Sequence, residues 1–152
     1  MNAIAVAGPV SGRQLHKFGG SSLADVKCYL RVAGIMAEYS QPGDMMVVSA
    51  AGSTTNQLIN WLKLSQSDRL SAHQVQQTLR RYHSDLISGL LPPESAEPLI
   101  AEFIQDLERL AVLLDGKVDE VCYAEVVGHG EIWSARLMAA VLNHLDMQAA
   151  WL

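Results

Sequence analysis

The sequence predicts an α/β sandwich built on a parallel-rich sheet. Strand-like and helix-like segments follow one another in the order strand, helix, strand, several helices, strand. Parallel strands need long crossovers, and helices supply them. Met45–Ala50 is continuously apolar between turn residues, the pattern of a strand buried on both faces.

Each element has its own signal. Gln14–Phe18 is a short candidate strand. Leu23, Val26, Leu30, Ala33 and Ala37 recur at helical spacing, so Ser22 to about Tyr39 reads as a helix with Ser21 or Ser22 as its cap. Gln41-Pro42-Gly43-Asp44 stops it. Gln57–Leu64 reads as helical. Val75, Leu79, Tyr82, Leu86 and Leu90 mark a further helix that ends at Pro92-Pro93. Leu99, Phe103, Leu107, Leu110 and Leu114 mark another, ending near Gly116. A long helix follows Val118, with Ile132, Ala135, Met138, Leu142 and Leu145 on one face. Ala149–Leu152 has the character of a third strand. Met1–Gly12 reads as a loose tail, leaving residues 13–152 as one domain or part of one.

Composition narrows the function. Of 152 residues, 49% are apolar, which suits a sizeable core. The net charge is −5 and no basic run exists, so binding to nucleic acid is excluded as a main activity. No apolar run nears the roughly 20 residues that span a bilayer. The N-terminus lacks the basic region of a signal peptide. Cys28 and Cys122 stand far apart in no metal-binding spacing and read as reduced thiols of a cytoplasmic protein.

Three segments could carry chemistry. Lys17-Phe18-Gly19-Gly20-Ser21-Ser22 puts a cation at a strand end, glycines in the turn and hydroxyls before a helix. That arrangement suits a phosphate, because glycine admits close backbone approach and helix-start N–H groups attract anions. It is neither a Walker A loop nor a Rossmann fingerprint. A solvated strand end fits equally well. Ser49 ends the second strand, with Thr54, Thr55 and Asn56 close behind. These could hold a carboxylate or phosphate, or merely form a turn and helix cap. Both loops fall at the carboxyl ends of strands, where open α/β sheets bind ligands. Glu131, in Val127-Gly128-His129-Gly130-Glu131, would repel a phosphate but suits an ammonium or a water-bridged magnesium ion. A glutamate in the first turn of a helix is the alternative. His129 is expected to be exposed by its flanking glycines and structural rather than a base. The histidines form no zinc-binding pattern.

Together these segments resemble the aspartokinases. Lys17-Phe18-Gly19-Gly20-Ser21-Ser22 is similar to that family's N-terminal signature. Val47–Gly52 with Thr55-Asn56 resembles its second segment, and Gly128-His129-Gly130-Glu131 its Ser-His-Gly-Glu segment, with Gly128 in place of serine. The resemblance covers Arg13–Leu152. The run from Gln14 to Cys28 is similar to the kinase portion of bacterial bifunctional aspartokinase–homoserine dehydrogenases of the methionine-linked type. It implies the three-layer αβα sandwich of the amino-acid kinase type. The implied reaction moves the γ-phosphoryl group of MgATP to the side-chain carboxylate of L-aspartate, on the route to lysine, threonine and methionine. By that resemblance Lys17 contacts the phosphates and stabilises the transition state, and Gly19 and Gly20 leave room for them. Ser49 and Thr55 hold aspartate, and Glu131 pairs with its α-ammonium.

In that family a nucleotide-binding half follows, with further strands, an aspartate-gripping arginine and ATP-binding elements. This chain is therefore expected to hold the aspartate-side part of the site, with an incomplete sheet and no kinase activity alone. An unpaired sheet edge and apolar surface around Trp151 would then favour self-association. Two other readings remain. One is a different amino-acid kinase, acting on acetylglutamate, glutamate or a nucleotide monophosphate. The other is a non-catalytic subunit that pairs with a full-length enzyme.

Overall fold

The computed structural model describes residues 12–152; all of the expected tail except Gly12 lies outside the described residues. The element order is β1 (Leu15–Phe18), a 3-10 turn (Gly20–Leu23), α1 (Val26–Tyr39), β2 (Met45–Val48), α2 (Thr54–Ser65), α3 (Arg69–Leu90), α4 (Pro93–Leu114) and α5 (Glu120–His144). β1 and β2 pair in parallel, with Lys17 opposite Val47 and Phe18 opposite Val48. α1 is the crossover between them, as a parallel pair requires. Asp44 fixes the far end of the sheet. Its carboxylate accepts the backbone N–H groups of Gln14 (2.7 Å) and Gln41 (2.9 Å). Those two bonds hold its pKa below the ordinary aspartate value.

The helices build one core, in which Leu23, Tyr29, Leu58, Leu79 and Leu110 are fully buried. α5 is the central element, packed against α1, α2, α4 and β2. The expected single stripe on α5 is therefore too narrow. Met138 and Leu142 are buried, but so are Val126, Trp133, Leu137 and Val141, while Leu145 is exposed. A helix with neighbours on several sides buries more than one face.

Three expectations are corrected. First, α1 starts at Val26 rather than Ser22, and its cap is Asp25, not Ser21 or Ser22. The Asp25 carboxylate accepts the Cys28 N–H at 2.7 Å, and the Tyr82 hydroxyl donates to the Ala24 carbonyl at 3.0 Å. Groups that would have continued a helix through Ala24 are thus committed elsewhere. Second, β2 is not buried on both faces. Phe18, Met46 and Val48 pack on the core, whereas Leu15, Met45 and Val47 are exposed. Helices cover one side of the sheet among the described residues. Third, Ala149–Leu152 forms no strand. The Asn143 side chain takes both backbone groups of Ala149: its amide N–H donates to the carbonyl and its oxygen accepts the N–H, each at 2.8 Å. Trp151 then lies under the Arg136 guanidinium, 4.7 Å away.

The remaining helices start and stop as their sequences direct. Asp68 and Asp119 cap α3 and α5 by accepting the N–H groups of Ser71 and Cys122. Pro93 follows the end of α3 and opens α4, where a missing N–H costs nothing. Cys122 is buried and Cys28 half-buried, and both are free. No described helix is long and apolar enough to cross a membrane.

Candidate functional site

Because β1 and β2 run parallel and in register, their carboxyl ends lie side by side. The loops that follow are bonded to each other. The Ser49 N–H donates to the Phe18 carbonyl and the Gly52 N–H to the Gly20 carbonyl, both at 3.0 Å. The two polar turns expected to share one site therefore do meet.

The two glycines of the first loop serve different ends. A Cβ on Gly20 would stand 2.7 Å from the Ala50 carbonyl oxygen and 3.3 Å from that of Gly52. The space beside Gly20 is thus filled by the second loop, not left for a ligand as expected. Gly19 has nothing within 4 Å of its Cβ position and faces open space. Ser21 and Ser22 are exposed on the 3-10 turn, where the Ser22 N–H donates to the Gly19 carbonyl at 2.9 Å. Lys17 is exposed on the uncovered face of the sheet and forms no ion pair with a described residue.

In the second loop, Gly52 adopts φ +53°, and a Cβ there would lie 2.9 Å from the Tyr82 hydroxyl. Glycine is required on both counts. Ser49 and Thr55 are half-buried, Ser49 at the strand end and Thr55 in the first turn of α2. Thr54 is fully buried, and its hydroxyl shares a 3.0 Å hydrogen bond with His83 Nε2. It is therefore a structural tie rather than a free donor.

Glu131 reaches this loop from α5. Its Oε1 accepts the Ala50 N–H at 3.4 Å, a long contact on an exposed residue. Gly130 makes the approach possible. A Cβ there would sit 2.7 Å from the Ala50 Cβ and 3.4 Å from Leu58 and Thr54 side-chain carbons. Glu131 lies midway along α5, so the first-turn macrodipole reading is set aside.

His129 is not exposed, contrary to expectation. It is buried, with Nδ1 2.6 Å from the Glu125 carbonyl and Nε2 2.7 Å from the Arg109 guanidinium. A guanidinium only donates, so Nε2 accepts and Nδ1–H donates to the carbonyl. Arg109 also pairs with Glu125 at 2.7 Å, which lowers the Glu125 pKa. Both ring nitrogens are committed between α4 and α5. His129 is structural and is no general base for this site.

Sequence reading missed Tyr82 and His83. Tyr82 looked like one more residue of an apolar stripe, and His83 like a histidine without partners. Two adjacent polar rings on a helix face otherwise rich in leucine were the available signal. Among the described residues no group of three His, Cys, Asp or Glu side chains converges to hold a metal.

Comparisons with known proteins agree on the kind of fold. The amino acid kinase family model matches residues 12–152. The whole chain is 78% identical to 19% of the bifunctional aspartokinase/homoserine dehydrogenase 2 of Escherichia coli K12. It is 26% identical to the lysine-sensitive aspartokinase 3 of the same organism, over 89% of this chain and 29% of that protein. The chain thus spans less than a third of the length of these relatives. The crystal structure of E. coli aspartokinase III in complex with aspartate and ADP superposes with a TM-score of 0.81 at 24% identity, covering 93% of this chain and 31% of that one. An aspartate kinase from Clostridium acetobutylicum gives 0.63 at 19% identity, over 85% and 28%. These solved structures share the αβα sandwich of amino-acid kinases, and the small parallel sheet with its helices is a part of that architecture.

Proposed function

This chain belongs to the amino acid kinase family, and we propose that it carries the acceptor-binding and phosphate-facing part of an aspartokinase site. The reaction is transfer of the γ-phosphoryl group of MgATP to the side-chain carboxylate of L-aspartate, in a cytoplasmic biosynthetic enzyme. The observation that carries this reading is the joining of the Lys17 loop to the Ser49–Thr55 loop, with Glu131 at Ala50. The names of the similar proteins support it: one is described in complex with aspartate and ADP.

The roles follow from charge and position. Lys17 is an exposed cation near the end of β1 with no ion pair to a described residue, suited to the negative charge of a transferring phosphoryl group. Gly19 keeps the approach open, and the Ser21 and Ser22 hydroxyls line its rim. Ser49 and Thr55 donate to the aspartate carboxylates. Glu131 exchanges its weak Ala50 contact for the α-ammonium, a stronger charge-assisted bond. Aspartate is already ionised at neutral pH, so its attack needs no base. Positioning and charge neutralisation are what this part of the protein supplies. A magnesium ion would arrive with the nucleotide.

Calorimetric titration of the full-length natural protein tests the acceptor. L-Aspartate binds in preference to L-glutamate. Glu131→Gln weakens aspartate binding roughly 10- to 100-fold, the worth of one hydrogen bond to a charged group. Equal affinity for glutamate, or unchanged aspartate affinity in Glu131→Gln, overturns the assignment.

A further inference from the structure

We propose that Tyr82 and His83 are positioning residues that clamp the two loops of the site to one rigid helix. The proposal rests on the functional reading above. It begins with the cost of two polar rings in the core. His83 is 3% exposed and packed among aromatic rings, with centroids 5.0 Å from Phe103 and 5.1 Å from Trp133. Burying an imidazole there is unfavourable unless its nitrogens are used. Nε2 is used, by the Thr54 hydroxyl at 3.0 Å. Leucine would fill such a pocket at less cost but would leave the Thr54 hydroxyl unpaired.

Tyr82 has a corresponding function on the other loop. Its hydroxyl donates to the Ala24 carbonyl at 3.0 Å, at the end of the 3-10 turn, and sits against Gly52. Adjacent helix residues point about 100° apart. One therefore reaches the segment behind Lys17 and Gly19, and the other reaches the residue before Thr55. Both loops are then referred to one two-residue step of α3. Their separation sets the distance between the phosphate-facing lysine and the acceptor groups. Small misplacements of reacting groups cost large factors in rate.

The test uses the full-length natural protein with Tyr82→Phe, His83→Gln and His83→Leu. Glutamine places its terminal amide near the Nε2 position and keeps a partner for Thr54, whereas leucine does not. Amide hydrogen exchange is the first readout. Residues 20–24 exchange roughly 10-fold faster in Tyr82→Phe, and residues 52–55 do so in His83→Leu, while the first turns of α5 (residues 120–126) are unchanged. Kinetics are the second readout. Tyr82→Phe lowers kcat about 10-fold with aspartate KM within threefold. His83→Leu raises aspartate KM about 10-fold, and His83→Gln restores it to within threefold. Uniformly faster exchange, or equal kinetics in the Leu and Gln variants, overturns the clamp. If the unmodified protein forms no ADP with aspartate, the functional reading fails, and the exchange pattern alone decides whether the loops are clamped.

Discussion

Lys17→Ala lowers kcat for aspartate phosphorylation by two to three orders of magnitude in the full-length natural protein. The stability of the fold is nearly untouched. Both expectations come from where the lysine stands. Its side chain is exposed on the uncovered sheet face and supports no ion pair with a described residue. Surface changes of that kind move stability by about 0.5 kcal/mol or less. A preorganised charge on a developing anion contributes about 3–4 kcal/mol to the transition state, which converts to two to three decades of rate. Aspartate KM stays within threefold, since the acceptor contacts proposed above are Ser49, Thr55 and Glu131, not Lys17. Lys17→Arg recovers little, because a planar fork does not replace a compact point charge. Steady-state kinetics beside a thermal melt checks all of this. A kcat within threefold of the unmodified protein would remove Lys17 from the chemistry.

The second large effect is on stability and pH. Burial pushes the His83 pKa from 6.5 down to about 3. In the unfolded chain the ring takes a proton as pH falls below 6.5, while in the folded protein it stays neutral. The unfolded state then binds more protons, so stability falls with falling pH. The contribution is fully present above 6.5 and fully lost below about 3. Between pH 6.5 and 5 the loss is about 1.6 kcal/mol. The charged groups beside the ring do not relieve it: Arg136 lines the same small cavity and is itself paired with Asp106 at 2.6 Å. Asp25, Asp44, Asp68 and Glu125 also have lowered pKa values, through hydrogen bonds and the Arg109 pair. Their contributions fade only below the ordinary carboxylate range, so they leave this window clear. Denaturant unfolding at several pH values should show the slope, and His83→Gln should flatten it by about 1.6 kcal/mol over those 1.5 units. An unchanged slope in that variant would mean the ring is not the responsible group.

Much of this was legible from local pattern. The helices α3 and α4 follow their apolar spacing, because long amphipathic segments carry their own signal. The first loop was readable because Lys17-Phe18-Gly19-Gly20 combines a strand end with residues that only a turn favours. What failed depended on partners distant in sequence. The start of α1 was misread because Tyr82, far along the chain, takes the Ala24 carbonyl. Ala149–Leu152 looked like a strand because composition cannot show that Asn143 occupies its backbone. His129 looked exposed because flanking glycines suggest openness, whereas Gly130 is there so that α5 can touch Ala50. Gly20 looked like room for a ligand for the same reason, although it is a contact between loops. A glycine's empty side can face solvent, a ligand or another segment, and only the fold decides which.

The proposed site joins the Lys17 loop, the Ser49–Thr55 loop and Glu131 for the phosphorylation of aspartate. ATP-dependent formation of aspartyl hydroxamate by the full-length natural protein tests it most directly, with L-glutamate and N-acetylglutamate as rival acceptors. Hydroxamate is expected from L-aspartate, with little from the rivals and a fall of at least a hundredfold in Lys17→Ala. Preference for a rival acceptor, or undiminished aspartyl hydroxamate in Lys17→Ala, would contradict it.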